Sequence, residues 1–215
     1  MLAGAGQLAV ENITAQPSMV PALARLLARS STTAAADAFA AYHAANCLAR
    51  LCSSEVAALR VAAVPAAVSG LVALLTVTDA VSDLVGKQHS LAAQAETALK
   101  HLGVRATGGA AQLVLQQPGI VAALADLLQP QHSPQSQSAA LVVLSDTVGV
   151  LAADINTRPA AAQVVQQAAR QPGFAENVVR LLSSARHARQ ACSRAVPLLF
   201  FLVFYDSATS RQLLE

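Results

Sequence analysis

The side chains that could carry chemistry in this chain are few and scattered. Five histidines, His43, His89, His101, His132 and His187, show no HExxH spacing and form no compact cluster with Asp or Glu. Asp79 and Asp83 stand four residues apart, a spacing that puts both carboxylates on one face of a helical turn. Two carboxylates alone make neither a metal site nor an acid–base pair, and a solvated face accounts for them. The three cysteines, Cys47, Cys52 and Cys192, are odd in number and lack a CxxC pair. That argues against a zinc site and a disulfide framework, and suits buried thiols in a reducing compartment. GAGQLA, residues 4–9, fits GxGxxA, but only three residues precede it where a dinucleotide site needs a strand, so a helix rich in small residues fits better. VGK at 85–87 lacks the other Gly and the Ser/Thr of a P-loop, and no GxSxG elbow occurs. NIT at 12–14 has the form of a glycosylation acceptor, but it falls inside a helix and nothing indicates secretion. The expectation is a non-catalytic protein with no cofactor and no metal.

Charge and hydropathy narrow the partners. A net charge of +2 with only two lysines, Lys87 and Lys100, gives no bulk attraction to nucleic acid. The tightest basic cluster, Arg180, Arg186, Arg189 and Arg194 with His187, reads as a solvated face or loop. AVPLLFFLVFY, residues 195–205, is the longest purely apolar run with aromatics, and its eleven residues fall short of the roughly 20 of a membrane span. No basic region precedes MLAGAGQLAV, so no signal peptide is expected. A protein or peptide partner, no membrane insertion, and a cytoplasmic or nuclear location follow as expectations.

The elements that would position any site come from a repeated phrase. QQPGIVAALADLL at 116–128 returns as RQPGFAENVVRLL at 170–182. Related phrases end at Leu27 (PSMVPALARLL) and Leu75 (AAVSGLVALL), so the four endings lie 48, 53 and 54 residues apart. In each, Pro or Gly marks a corner. Apolar residues at helical spacing follow, as in Ile120, Leu124, Leu127 and Leu128, or Phe174, Val178, Leu181 and Leu182. A shorter apolar segment precedes the phrase, with Pro159 near one helix start, and a longer one follows it. The unit is short helix, middle helix, long helix. Such a unit closes its core only by stacking on the next one, which explains why the same grammar recurs. No segment alternates with period two, so no strand is expected.

The phrases PGIVAALADLL, PGFAENVVRLL and SMVPALARLL, with the weaker AVSGLVALL, resemble the second-helix pattern of the armadillo repeat family, and HAANCLARL, QAETALKHL and AALVVLSDT resemble its third. The resemblance covers nearly the whole chain. It implies an all-α fold, a right-handed α-solenoid of about four three-helix repeats with partial repeats at both ends. The units are 1–14 (partial), 15–53, 54–105, 106–156, 157–205 and 206–215 (partial), in one repeat domain spanning 1–215. Family repeats are shorter, which implies insertions at 29–39, at 76–88 and around 149–159, while QPQHSPQSQS at 129–138 reads as a polar loop. Beginning and stopping in mid-repeat leaves uncovered apolar ends and an expectation of self-association.

The resemblance also points to a site. In armadillo arrays third helices stack side by side and line a concave groove. The family's Asn position falls on Asn12, Arg50, His101 and, allowing one inserted residue, Asp146, and one turn earlier lie Leu8, Asn46, Thr97 and Val142. These residues would hold an extended peptide by its backbone and charged groups. Importin-α places Trp and Asn at the two positions; this chain has no Trp and keeps only Asn12, which speaks against nuclear-signal recognition. The function implied is a protein-interaction scaffold. The alternatives are a chaperone adaptor of the nucleotide-exchange type and an interaction segment of a larger enzyme such as a ubiquitin ligase.

Overall fold

A computed structural model describes residues 10–29, 35–76, 90–105, 109–183 and 198–200. Among them every regular element is a helix and none is a strand. The helices are α1 (Met19–Ala28), α2 (Ala35–Leu51), α3 (Glu55–Ala62), α4 (Pro65–Leu74), α5 (Leu91–Lys100), α6 (Gly109–Gln116), α7 (Ile120–Asp126), α8 (Pro134–Ala153), α9 (Arg158–Ala169) and α10 (Phe174–Ser183). Residues 10–14 are helical, and a π-helical turn, His101–Arg105, extends α5. The chain divides into two compact units, Met1–Val114 and Leu115–Glu215.

In the first unit, helices from equivalent phrases pack on one another, α1 on α4 and α2 on α5. On the middle-phrase helices Leu27, Leu71 and Leu74 are buried and Gly70 of α4 lies against Leu27 of α1, while the buried residues of the long helices are mostly Ala, which admits close approach. α3 turns into α4 at Val64–Pro65 through 91°. In the second unit α9 packs against α7, α8 and α10, and α7 packs on α8. Ile120, Leu124, Leu127 and Leu128 are all buried, as are Phe174, Val178 and Leu181; the side chain of Leu182 lies outside the described ones.

The repeated corner repeats its geometry. In all four Gln-Pro corners among the described residues, the amide of the residue three positions on donates to the Gln carbonyl: Met19 to Gln16 (3.1 Å), Ile120 to Gln117 (3.3 Å), His132 to Gln129 (3.1 Å) and Phe174 to Gln171 (3.2 Å). Gly119 and Gly173 sit at φ +82° and +70°, the third position of a type II turn, whereas Ser18 at φ −87° makes a type I turn. No atom stands within 4 Å of a Cβ built on Gly119, so its substitution isolates the backbone term. We expect Gly119→Ala to cost about 1–2 kcal/mol, from forcing an L-residue into left-handed space, and Ser18→Ala to cost less than half of that. Denaturant melts of both variants check this.

Basic side chains close helix ends across the same period. Arg60 donates to the Glu11 carbonyl at 2.9 Å, a separation of 49 residues. Arg180 donates to the Leu128 carbonyl at 2.8 Å, and the His101 ring reaches the Ala49 carbonyl at 2.7 Å, each across 52 residues. Last-turn carbonyls lack the next turn's amide, and for Leu128 and Ala49 a cation or imidazole N–H from the following phrase takes its place, whereas the Glu11 carbonyl also accepts from the Ala15 amide at 2.9 Å.

Several expected boundaries move. The stretch 29–39 is no simple insertion, because α2 already begins at Ala35. The polar segment 129–138 is a loop only to Ser133: Ser133 caps α8, its hydroxyl accepting from the Ser136 amide, and Pro134 opens the helix. Gln137 is buried and donates to the Gln129 and His132 carbonyls at 2.9 and 2.8 Å, clipping that loop down. Around 149–159 the break is only 154–157, where Asp154 Oδ1 accepts from the Asn156 amide before α9 starts. The boundaries after residues 53 and 156 fall in turns between helices. Residues 77–89, with Asp79, Asp83 and His89, lie outside the described residues. So do Arg186, His187, Arg189, Cys192 and Arg194, and the terminal partial units except 10–14.

α8 has the length and apolarity of a membrane span, 20 residues with a mean hydropathy of 1.4 over its best window, two-thirds of which (67%) is buried within the protein. A helix buried on most of its circumference serves equally as the core helix of a packed unit.

Candidate partner-binding surface

The surface belongs to α2, in the first unit. One side of this helix is apolar and buried: Ala38, Ala41, Ala45, Leu48 and Cys52 follow one another at helical spacing against α1 and α5. The other side presents Phe39, His43, Asn46, Cys47 and Arg50, all exposed or half-buried. Eleven residues of helix separate the first from the last, a run of about 16 Å.

An aromatic cluster occupies the N-terminal part of this stripe. Phe39 is 50% exposed, and its ring lies edge-on to His43 with centroids 4.3 Å apart at 74°. Tyr42, buried, flanks the same imidazole at 5.3 Å. At the C-terminal end Arg50 Nε donates to Asn46 Oδ1 at 3.0 Å, one turn away on the same face. That bond orients the guanidinium, whose terminal nitrogens carry no other hydrogen bond and no ion pair among the described residues. The stripe thus offers an apolar anchor at one end and a bidentate carboxylate receptor at the other.

The candidates named from sequence divide as follows. Asn46 and Arg50 are brought together. His101, half-buried, turns to the carbonyl of Ala49, the residue before Arg50, and ties the end of α5 to the end of α2. A carbonyl only accepts, so His101 Nδ1 carries the hydrogen. Thr97 is exposed and its hydroxyl donates to Ala93 on its own helix at 2.8 Å. Asn12 is exposed on 10–14, next to Glu11, whose carboxylate accepts from Ser54 at 3.3 Å. Asp146 is half-buried on α8, in the second unit. Phe39 and His43, not among the candidates named from sequence, continue the Asn46/Arg50 register backwards in steps of three and four. Phe39 closes the segment 29–39 that reads as an insertion, whereas His43 opens HAANCLARL one turn before Asn46.

The cysteines on this helix differ from the expectation of buried thiols. Cys52 is buried, and desolvation pushes its thiol up to about 12 from an ordinary 9.0. Cys47 is exposed, because it falls on the α2 stripe and not on the packed face. In a Cys192→Ser background we expect one fast-reacting thiol at pH 8, lost in Cys47→Ser, and a second released only on unfolding. The native state holds the Cys52 proton more tightly than the unfolded chain. Stability from this group is therefore complete below about pH 9 and declines as pH rises from there toward about 12. Thiol titration and pH-dependent melts check both statements.

Among the described residues no group of three or more His, Cys, Asp or Glu side chains is placed to hold a metal ion. Set against protein-family models, curated proteins and solved structures, the chain matches none of them.

Proposed function

We propose that this chain is a non-catalytic interaction scaffold of the armadillo type, a stack of three-helix repeats that binds an extended peptide along α2. One observation carries the reading: the exposed stripe Phe39–His43–Asn46–Arg50 on a helix whose opposite face is packed. The equivalent-helix packing of α1 on α4 and α2 on α5 supports the repeat architecture. The repeated corners and the carbonyl caps spanning 49 and 52 residues support it as well. The ligand this stripe fits is a mixed peptide. An apolar side chain packs beside Phe39, and a carboxylate three or four residues along pairs with Arg50. The free thiols Cys47 and Cys52 fit a reducing cellular location.

The test is peptide selection from a random library on the intact chain, followed by affinity measurement on variants. Phe39→Ala with Arg50→Ala should weaken the selected peptides more than about ten-fold, equivalent to about 1.4 kcal/mol. Both residues are exposed, so the thermal midpoint should stay within a degree or two of the parent's. The control pair Arg25→Ala with Val56→Ala, exposed on α1 and α3, should leave affinity unchanged. Loss of binding in the control with none in the stripe pair would refute the assignment of the face.

A further inference from the structure

The Gln-Pro corners do more than turn the chain. In the second unit the corner before α7 and the end of α9 enclose a half-open cavity of about 330 Å³. That volume lies at the small end of the range of about 300–1,000 Å³ typical of ligand sites. Its lining includes Gln116 and Pro118 from the first corner, and Gln167, Arg170 and Gln171 from the second. Leu115 and Val121, both buried, contribute an apolar part of the lining.

The repeated phrase explains the composition. QQPG and RQPG align, so Gln116 and Arg170 hold the same place in consecutive copies, as do Gln117 and Gln171. Exchange of Gln for Arg in the second copy puts one cation among amides. No Asp or Glu lines the cavity. The side chains of Gln116, Gln167, Arg170 and Gln171 make no hydrogen bond or ion pair among the described residues. Gln116, Gln167 and Arg170 are exposed and Gln171 is half-buried, so all four line the opening with donors and acceptors that no neighbouring group occupies.

We propose that this cavity binds an acidic side chain of an extended peptide, its carboxylate on Arg170 and its flanking backbone amides on the glutamines. The guanidinium offers a planar fork that matches a carboxylate. Gln side chains both donate and accept, and so pair with peptide N–H and C=O groups alike. A single cation with no aromatic side chain in the lining suits a carboxylate better than a nucleotide, which needs more charge and a stacking platform. The site lies wholly within the second unit and does not rest on the reading of α2.

The experiment is an amide-resolved NMR titration of the intact ¹⁵N-labelled chain with acetyl-Gly-Glu-Gly-amide. Acetyl-Gly-Gln-Gly-amide and inorganic phosphate serve as comparisons. The expected result is saturable shifts at Gln116, Gln117, Gly119 and Gln167–Gln171, with the Glu peptide at least about ten-fold tighter than the Gln peptide. Arg170→Gln, at an exposed position without a partner, should leave the rest of the spectrum in place and bring the two peptides to equal affinity. Four results would overturn the proposal: no saturable shift at those amides, equal affinity for both peptides in the parent, an unchanged preference in Arg170→Gln, or phosphate binding as tightly as the Glu peptide.

Discussion

Phe174→Ala should destabilise the second unit by about 3–5 kcal/mol, the range for removing a large aromatic from a packed core. Among the described residues Phe174 is the largest of the fully buried side chains, and it sits directly after the Gln171–Gly173 corner, where α10 begins. Its amide closes the corner and its ring fills the core beneath, so truncation leaves a cavity at the point where the chain must bend. Ile120 holds the same place in the preceding copy and is also buried. Ile120→Val removes one methylene and should cost only about 0.5–1.5 kcal/mol. Chemical denaturation of the two variants measures the contrast. Near-equal losses would mean that the two copies do not play equivalent packing roles.

Gly70→Val should cost about 2–3 kcal/mol in the first unit, for the opposite reason. Gly70 is the point where α4 crosses α1. A Cβ built there stands 3.0 Å from Leu27 Cβ and 3.1 Å from its Cδ1, and Leu27 is itself fully buried. Glycine inside a helix costs roughly 1 kcal/mol relative to alanine, so its presence at this position trades helix propensity for closeness of the two helices. Valine adds branched bulk that neither helix can yield to without separating. Coupling tests the cause: Gly70→Val combined with Leu27→Ala should be less harmful than the sum of the single changes by about 1 kcal/mol. Strict additivity would place the damage elsewhere.

Most of the helical fold was legible because it is written in local chemistry. Gln-Pro-Gly fixes a type II corner wherever it occurs, and Gln16-Pro17-Ser18 makes the same bend by a type I turn that the phrase alone does not distinguish. The buried faces of α7 and α10 follow from apolar spacing. Two helix starts were misplaced for a definable reason. Polar and small residues dominate 29–39 and 129–138, and such residues open helices as readily as they form loops. At the candidate site the spacing put Asn46, Arg50, Thr97 and His101 in one register, and the Asn46–Arg50 bond fits that register. Spacing does not say where a side chain turns. His101 is drawn to an unsatisfied carbonyl on α2, and Thr97 bonds its own helix, because nearby backbone acceptors compete with any ligand for their hydrogens. The cavity at the corners was invisible because its two walls come from segments about fifty residues apart, and only their packing brings Arg170 beside Gln116.

The most direct test of the account is to map where a selected peptide touches the chain, by amide shifts of the labelled protein on titration with a library-derived ligand. The account predicts the largest saturable shifts at Phe39, His43, Asn46, Cys47 and Arg50. Smaller ones should occur at His101, which is tied to α2 through Ala49, and shifts should be absent from the packed residues Ala41, Ala45 and Leu48 beyond those of their neighbours. Shifts that bypass the α2 stripe, or binding that survives Phe39→Ala with Arg50→Ala at full strength, would contradict it.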